Sequence, residues 1–302
     1  MPSLILKRHG TPEALLKKMA ETLRELKSRI RSAKKTQQIT KTMQMVAASR
    51  LKKSEIVFRQ AKPYNESMEI ILSHLMESSQ GLSHPFFEKR DVKTLALVIV
   101  TSDRGLCGAY NANIIARAEA FLKEPRSQEV QLILIGKKGY DYFKTREWPI
   151  LMRFLDLSGK ADYEKISGIT HQLIEAYLSG TVDEVQVLYT NYISALSNKP
   201  LMKKFLNLQQ NKEGLQSGFI FEPGLEDIID AFLSRQIASR MYSALLESFT
   251  AENSSRMVAM KSATDSAKEM IDRLSLAGNK ARQAAITKEI LEIVTAGEAM
   301  KG

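Results

Sequence analysis

Apolar positions recur every three or four residues over very long stretches at both ends of this chain, and give way to short apolar runs in the middle. At the N-terminal end the series runs through Leu15, Met19, Leu23, Leu26, Ile30 and Ala33, then Ile39, Met43, Val46 and Leu51, the spacing of one helix face. Between Glu13 and Gln80 the single helix breaker is Pro63, a place for a kink. Thr11, Pro12 and Glu13 form a good helix start: a hydroxyl N-cap, a proline at the first helical position and an acid facing the positive end of the dipole.

From Leu225 to Ala296 there is no proline and one glycine, Gly278, while Ile229, Phe232, Ile237, Met241, Leu245 and Phe249 repeat with the same period. At the helical rise this segment is roughly 105 Å long, and the N-terminal one is similar. A helix of that length with one apolar stripe has to bury it against another helix, and the chain supplies one candidate for each. One helix runs out to the central region and the other runs back, so the pattern predicts an antiparallel pair, with a left-handed wrap.

Prolines and glycines punctuate the middle. There the pattern predicts strands at Leu95 to Ser102, Val130 to Gly136, Val185 to Tyr192 and Lys203 to Leu208, and helices at Asn111 to Lys123 and Asp162 to Ser179. The expected class is α+β: a long antiparallel coiled coil of the N- and C-terminal helices with an inserted Rossmann-like α/β domain. The expected divisions are an N-terminal extension over 1–22, a long helix over 23–90, the α/β domain over 91–223 and a second long helix over 224–302.

Charge sharpens this picture. The net charge is +10, but Met1 to Lys62 holds 16 Lys and Arg against 4 Asp and Glu, and the remainder 28 against 30. The whole positive excess therefore lies on this one, largely helical N-terminal segment. Such a helix suits a phosphate backbone or an acidic protein surface. With Phe58 as its one aromatic residue, it offers no stacking platform for single strands. The single cysteine, Cys107, excludes an internal disulfide, and His9, His74, His84 and His171 lack ligand-like spacing, so no metal site and no cofactor are expected. No run approaches the roughly 18 apolar residues of a bilayer span, so membrane association is expected only through a partner.

The most enzyme-like segment is Thr101 to Asn111, Thr-Ser-Asp-Arg-Gly-Leu-Cys-Gly-Ala-Tyr-Asn, a strand, a glycine-containing turn and a helix start. It has neither the three-glycine dinucleotide fingerprint nor the Walker pattern, and Gly136-Lys137-Lys138-Gly139 also fails the Walker spacing. A tight strand-to-helix turn accounts for it better than nucleotide binding. Cys107 has no histidine near it in sequence to activate it, and reads as a structural thiol. No convergent set of acid, base and nucleophile supports a reading as a small α/β enzyme with helical arms. Small and polar residues surround the helices at Met43 to Lys53 and Ala251 to Asp265, which suits a shaft that slides or turns inside another protein. Further on, Arg282, Gln283, Thr287 and Glu289 crowd hydrogen-bonding groups onto the last helix.

Three blocks, Thr36 to Ser49, Ser102 to Asn111, and Arg256 to Asp265 with Asn279 to Glu289, resemble the γ subunit of F-type ATP synthases, the central rotor shaft, over most of the chain from about Leu23. The resemblance implies a non-catalytic, torque-transmitting subunit. It would insert into a ring of α and β subunits and join an ε-type subunit and the membrane c-ring. By motif position it implies that Met43 and Arg256 lie near acidic lever loops of β, and that Arg282, Gln283, Thr287 and Glu289 reach polar loops of α and β. Phe219, Phe221 and Glu222 correspond by position to the foot facing the c-ring and ε-type subunit, although their residue types differ from the family pattern. The competing reading, a basic coiled-coil nucleic-acid-binding protein, does not account for the three blocks.

The chain has some twenty residues more at its start than the resemblance leads one to expect. Met19 offers an alternative translation start, against which the Thr11-Pro12-Glu13 cap argues. The first residues lack a secretory core, and their acids weaken a transit-peptide reading, which favours the cytoplasmic face of a bacterial inner membrane over a mitochondrial matrix. With one cysteine, no intramolecular thiol switch can form. Mass spectrometry of the native protein tests the Met19 start: a peptide spanning Lys7 to Lys17 rules it out.

Overall fold

Both terminal segments are single helices. The computed structural model describes residues 12–78, 85–86, 90–157, 159, 161–206 and 225–299. Helix α1 runs Pro12–Ser78 and passes through Pro63 without ending. The last helix, α5, runs Leu225–Ala299. Between them lie β1 (Thr94–Val100), α2 (Tyr110–Lys123), β2 (Glu129–Ile135), α3 (Lys137–Phe143), β3 (Ile150–Phe154), α4 (Tyr163–Leu178), β4 (Glu184–Ser194) and β5 (Ser197–Leu206). The chain forms two compact units, Met1–Met43 with Met260–Gly302, and Gln44–Ala259.

In the first unit the two helices shield one another along a stripe of three-and-four spacing. On α1 the shielded positions are Leu23, Leu26, Ile30, Ala33, Gln37 and Thr40; on α5 they include Met260, Thr264, Ala267, Ile271 and Leu274. The intervening side chains face solvent, as a strict coiled-coil seam requires. Thr264 Oγ1 donates to Thr40 Oγ1 at 2.8 Å, and Thr40 Oγ1 donates in turn to the Thr36 carbonyl at 3.0 Å, so the polar pair in the seam is satisfied.

The second unit is built on a five-stranded sheet of order β3-β2-β1-β4-β5. Strands β1 to β4 are parallel, and β5 returns antiparallel to β4 through a tight hairpin. The near-continuous apolar run of β1 follows from this position, because a central parallel strand is covered on both faces. One face carries Leu95, Leu97 and Ile99 against Ile114, Ala118 and Leu122 of α2 and Phe143 of α3. The other carries Ala96, Val98 and Val100 with α4 and with Leu233, Ile237, Met241, Leu245 and Phe249 of α5. Here α5 is buried on nearly every side, since α1 also runs along it. Ser239 Oγ donates to Asn65 Oδ1 at 2.7 Å and Arg240 pairs with Glu69 at 3.3 Å.

Strands β1, β2 and β4 and helices α2 and α4 lie within a residue or two of their sequence-predicted bounds. Asp162 is the N-cap of α4, its carboxylate accepting from the amides of Glu164 and Lys165. Two elements escape the sequence pattern. Strand β3 is a short, half-buried edge strand that carries no alternation, and α3 is too short for a helical period to show. Strand β5 begins at Ser197, six residues before the predicted start, because Pro200 is tolerated at a sheet edge where its missing N–H faces no neighbour. Leu245 is fully buried between sheet and helix, so Leu245→Ala is expected to lower stability by about 2–5 kcal/mol, read as a reduced urea midpoint at unchanged slope.

Candidate functional site

In a sheet of this order the crossovers leave β1 in opposite directions, and the crevice beyond the carboxyl ends of β1 and β4 is the usual ligand position. The segment singled out by sequence, Thr101 to Asn111, lies at this switch point. Its backbone is held by its own side chains. Asn111 Oδ1 accepts from the Ser102 amide at 3.0 Å, and Asn111 Nδ2 donates to Ser102 Oγ at 2.8 Å and Cys107 Sγ at 3.2 Å. Ser102 Oγ donates to the Arg104 carbonyl at 2.6 Å. Asp103 Oδ1 accepts from the amides of Lys137 and Asp156, at 3.0 and 3.2 Å, tying the turn to the ends of β2 and β3. These bonds hold Leu106 at φ 64°, a left-handed conformation that costs a branched side chain about 1 kcal/mol or more.

The second glycine motif proves to be a packing device. A Cβ at Gly136, whose φ is 94°, would stand 2.1 Å from the Thr101 carbonyl oxygen, and one at Gly139 would stand 2.9 Å from Thr101 Oγ1. Without them, Thr101 Oγ1 accepts from the Gly139 amide at 2.9 Å and donates to the Ile135 carbonyl at 3.0 Å. The strand-to-helix turn is thus explained by close backbone packing, as its sequence suggested.

Helix α5 fills the crevice itself. Tyr110 Oη and Ser248 Oγ share a hydrogen bond of 2.8 Å, and Ser248 Oγ accepts from the Thr190 amide at 3.2 Å. Glu247 Oε1 accepts from the Tyr192 amide at 3.1 Å, and Ser254 Oγ donates to the Ala195 carbonyl at 2.6 Å. Arg256 Nη2 donates to Glu252 Oε1 at 2.6 Å and to the carbonyls of Arg104 and Gly105 at 3.2 and 3.5 Å. The polar stretch of α5 from Ala251 onward, read from sequence as a face for sliding inside another protein, is therefore buried through Ser254 against this chain's own turn and hairpin. The reason is chemical: hydroxyls and carboxylates on this helix satisfy strand-end amides and carbonyls that would otherwise be buried without partners. Burial pushes the Tyr110 phenol and the Cys107 thiol above their ordinary ranges, so Cys107 sits as a neutral, packed thiol.

The remaining sequence-predicted residues separate. Met43 is half-buried on α1 in the first unit, and Arg256 lies in the second. Arg282, Gln283, Thr287 and Glu289 are all exposed on α5, on the arc opposite the shielded Ala281, Ala285 and Lys288. Ile286 and Ile290 are exposed on the same arc. Phe219, Phe221 and Glu222 lie outside the described residues. Sequence reasoning passed over Ser248 and Glu252; the acid four residues before Arg256 was the available signal. Among the described residues, a further groove of about 970 Å³ lies between α1, the β4–β5 hairpin and α5, with Arg59, Tyr192, Lys203 and Glu247 on its walls. No helix among them is long and apolar enough to cross a membrane.

Burial raises Glu247 and Glu252 above the usual carboxylate range, in both cases against opposing contributions from nearby cations or donors. Between the ordinary and the raised value the folded chain holds a proton that the unfolded chain has released, so stability falls as pH rises through that window. Urea midpoints followed from about pH 4 to about pH 7 should show this decline, and Glu247→Gln should remove part of it.

A family model described as ATP synthase matches residues 22–300. The chain is 41% identical over 283 residues to the ATP synthase gamma chain of Protochlamydia amoebophila, covering 93% of this chain and 99% of that one. It is also 41% identical over 288 residues to the gamma chain of Heliobacterium modesticaldum, covering 92% and 99%. Among solved structures, a chain of the Euglena gracilis mitochondrial ATP synthase (OSCP/F1/c-ring) matches with a TM-score of 0.68 at 20% identity, covering 93% of this chain and 95% of that one. A chain of the Tetrahymena thermophila mitochondrial central stalk and c-ring matches at 0.58 and 24%, covering 74% and 99%. The long helices and the inserted sheet are shared with this group, and the extent of the sequence match leaves one assignment: the chain belongs to the ATP synthase gamma-chain family.

Proposed function

We infer that this chain is the torque-transmitting shaft of a proton-translocating F-type ATP synthase, working without catalytic residues of its own. It is the central-stalk subunit of that enzyme. The observation that carries the mechanical reading is α5: a 75-residue helix without a break, anchored on the sheet by its first part and exposing polar and apolar side chains on its last. A continuous helix resists twisting because each turn is hydrogen-bonded to the next, so rotation applied to the sheet is delivered along the helix.

In this reading the exposed arc with Arg282, Gln283, Thr287 and Glu289 faces loops of the α and β subunits, and Met43, with the edge of the Arg256 guanidinium left over from its bonds within the chain, lies toward acidic loops of β. Phe219, Phe221 and Glu222 belong to the foot toward the c-ring and an ε-type subunit. Support for the acidic partner comes from α1, where Arg24, Lys34, Lys35 and Lys41 are exposed. Solvent-screened pairs of this kind contribute about 0–1 kcal/mol each and can be broken and remade at every step. A buried pair would cost several times more to separate. Attachment to the membrane runs through the c-ring, and the likeness to gamma chains of bacteria supports the cytoplasmic face of a bacterial inner membrane.

Reconstitution with α and β subunits tests the reading. A stable complex is expected, with ATPase activity above that of α and β alone. Replacing Arg282 and Gln283 together by Ala is expected to lower that activity while leaving the fold of the isolated chain intact. No association at low or moderate salt would overturn the assignment to a rotor, and binding to DNA that falls steeply with salt would point instead to a phosphate-backbone partner.

A further inference from the structure

Helix α5 carries two Glu–Arg pairs of the same i,i+4 spacing and nearly the same length in very different surroundings. Glu269 and Arg273, 2.5 Å apart, are 64% and 78% exposed, whereas Glu252 and Arg256, 2.6 Å apart, are 7% and 13% exposed. The first is a screened surface pair of small consequence. The second loses its hydration, and such a pair is sustained only where further hydrogen bonds use the remaining donors and acceptors. On the arginine side those bonds exist: Nη2 also reaches the Arg104 and Gly105 carbonyls of the β1–α2 turn. On the glutamate side Oε2 is buried with no hydrogen-bond partner among the described residues.

The turn and the helix also approach closely at this level, with room between them for about one methyl group. A Cβ on Gly108 would meet the Ala259 Cβ at 3.6 Å and the Ser255 carbonyl oxygen at 3.8 Å. Two helical turns back from Ser255, the Tyr110–Ser248 bond joins the start of α2 to α5. Among the described residues, the titratable groups facing Glu252 are Arg256 on α5, Arg50 on α1, Asp103 and the neutral Cys107 thiol in the turn, and the Tyr110 phenol at the start of α2. A carboxylate whose second oxygen meets no donor among the described residues contributes little to packing that an apolar side chain would not supply. Its specific effect is to fix the direction of Arg256.

We propose that Glu252 is a positioning residue for torque transfer: it holds the Arg256 guanidinium on the Arg104 and Gly105 carbonyls and so locks the β1–α2 turn to α5. This rests on the rotor reading, because it names the contact through which rotation of the sheet domain enters the helix. Without the lock, the strained turn at Leu106 is free to move against the helix.

The sole cysteine of the chain reports on the lock. Cys107 is 2% exposed and is held by Asn111 within the turn that Arg256 clamps. Labelling with a thiol reagent under native conditions is therefore measured on the full chain. Glu252→Ala and Arg256→Ala are each expected to speed labelling by at least about tenfold through local opening, and the double variant to label no faster than Arg256→Ala alone. Leu245→Ala, which weakens the core without touching the turn, is the reference for general loosening. If Glu252→Ala labels no faster than Leu245→Ala, the lock is refuted.

A second measurement uses the assembled enzyme in vesicles. The ratio of protons pumped to ATP hydrolysed is expected to fall in Glu252→Ala and to be partly restored in Glu252→Gln, which keeps an acceptor oxygen for Arg256. Faster labelling with an unchanged ratio would overturn the role in torque transfer while leaving the rotor reading in place. Failure of the wild-type chain to assemble with α and β would instead overturn the rotor reading itself, and the torque role with it.

Discussion

Helix α5 has to bury different surfaces at different points along its length, and the architecture follows from how that constraint is met. Up to Phe249 its apolar residues are spread around most of its circumference, since a β-sheet lies on one side and α1 on another. From Met260 onward shielding is confined to one position in three or four, because α1 alone covers it. Between them, Ser248 to Ser254 include buried polar side chains that would be costly in an apolar core. They are tolerated because each finds a partner: Ser248 accepts from the Thr190 amide and Ser254 donates to the Ala195 carbonyl of the β4–β5 hairpin, while Thr250 and Asn253 donate to carbonyls one turn back on α5. One helix can thus pass from a sheet-packed segment to a coiled-coil segment without a break.

The same constraint brings α5 into the switch point of the doubly wound sheet. In nucleotide-binding proteins of this architecture, glycines after β1 let a phosphate approach the helix amides. Here the glycines serve protein packing instead. Gly136 and Gly139 admit Thr101, and Gly108 supplies the left-handed backbone, φ 58°, of the turn beside Ala259. The crevice is occupied by Ser248, Glu252 and Arg256, so the position that elsewhere binds a cofactor becomes a mechanical joint. A site of chemistry and a site of attachment can share one topology, because both exploit unpaired backbone groups at strand ends.

Electrostatics are divided along the chain in a way that suits these separate tasks. Exposed cations on α1 and the exposed Glu269–Arg273 pair sit where water screens them and where contacts can change at little cost. The Glu252–Arg256 pair sits where water is excluded and separation is costly. Weak charge contacts therefore belong to surfaces that meet other molecules, and a strong one holds the chain to itself.

Much of this was legible in the sequence. Periodicity marked both long helices, because a stripe of three-and-four spacing sustained over 67 and 75 residues fits neither a strand nor a loop. The β1 run marked a strand covered on both faces, and Thr101 to Asn111 read correctly as a tight turn since it lacked the glycines of a phosphate loop. The three motif blocks carried the family. Strand β3 and helix α3 were not legible, being too short for a period to register, and Pro200 concealed the start of an edge strand. The sequence also could not say what covers the polar face of α5. Periodicity tells which side chains share a face, and for Ala251 to Ser254 a sliding surface and a buried joint have the same pattern. Only the tertiary structure, by bringing the β1–α2 turn and the β4–β5 hairpin against that face, decided that these groups are spent on the chain's own backbone.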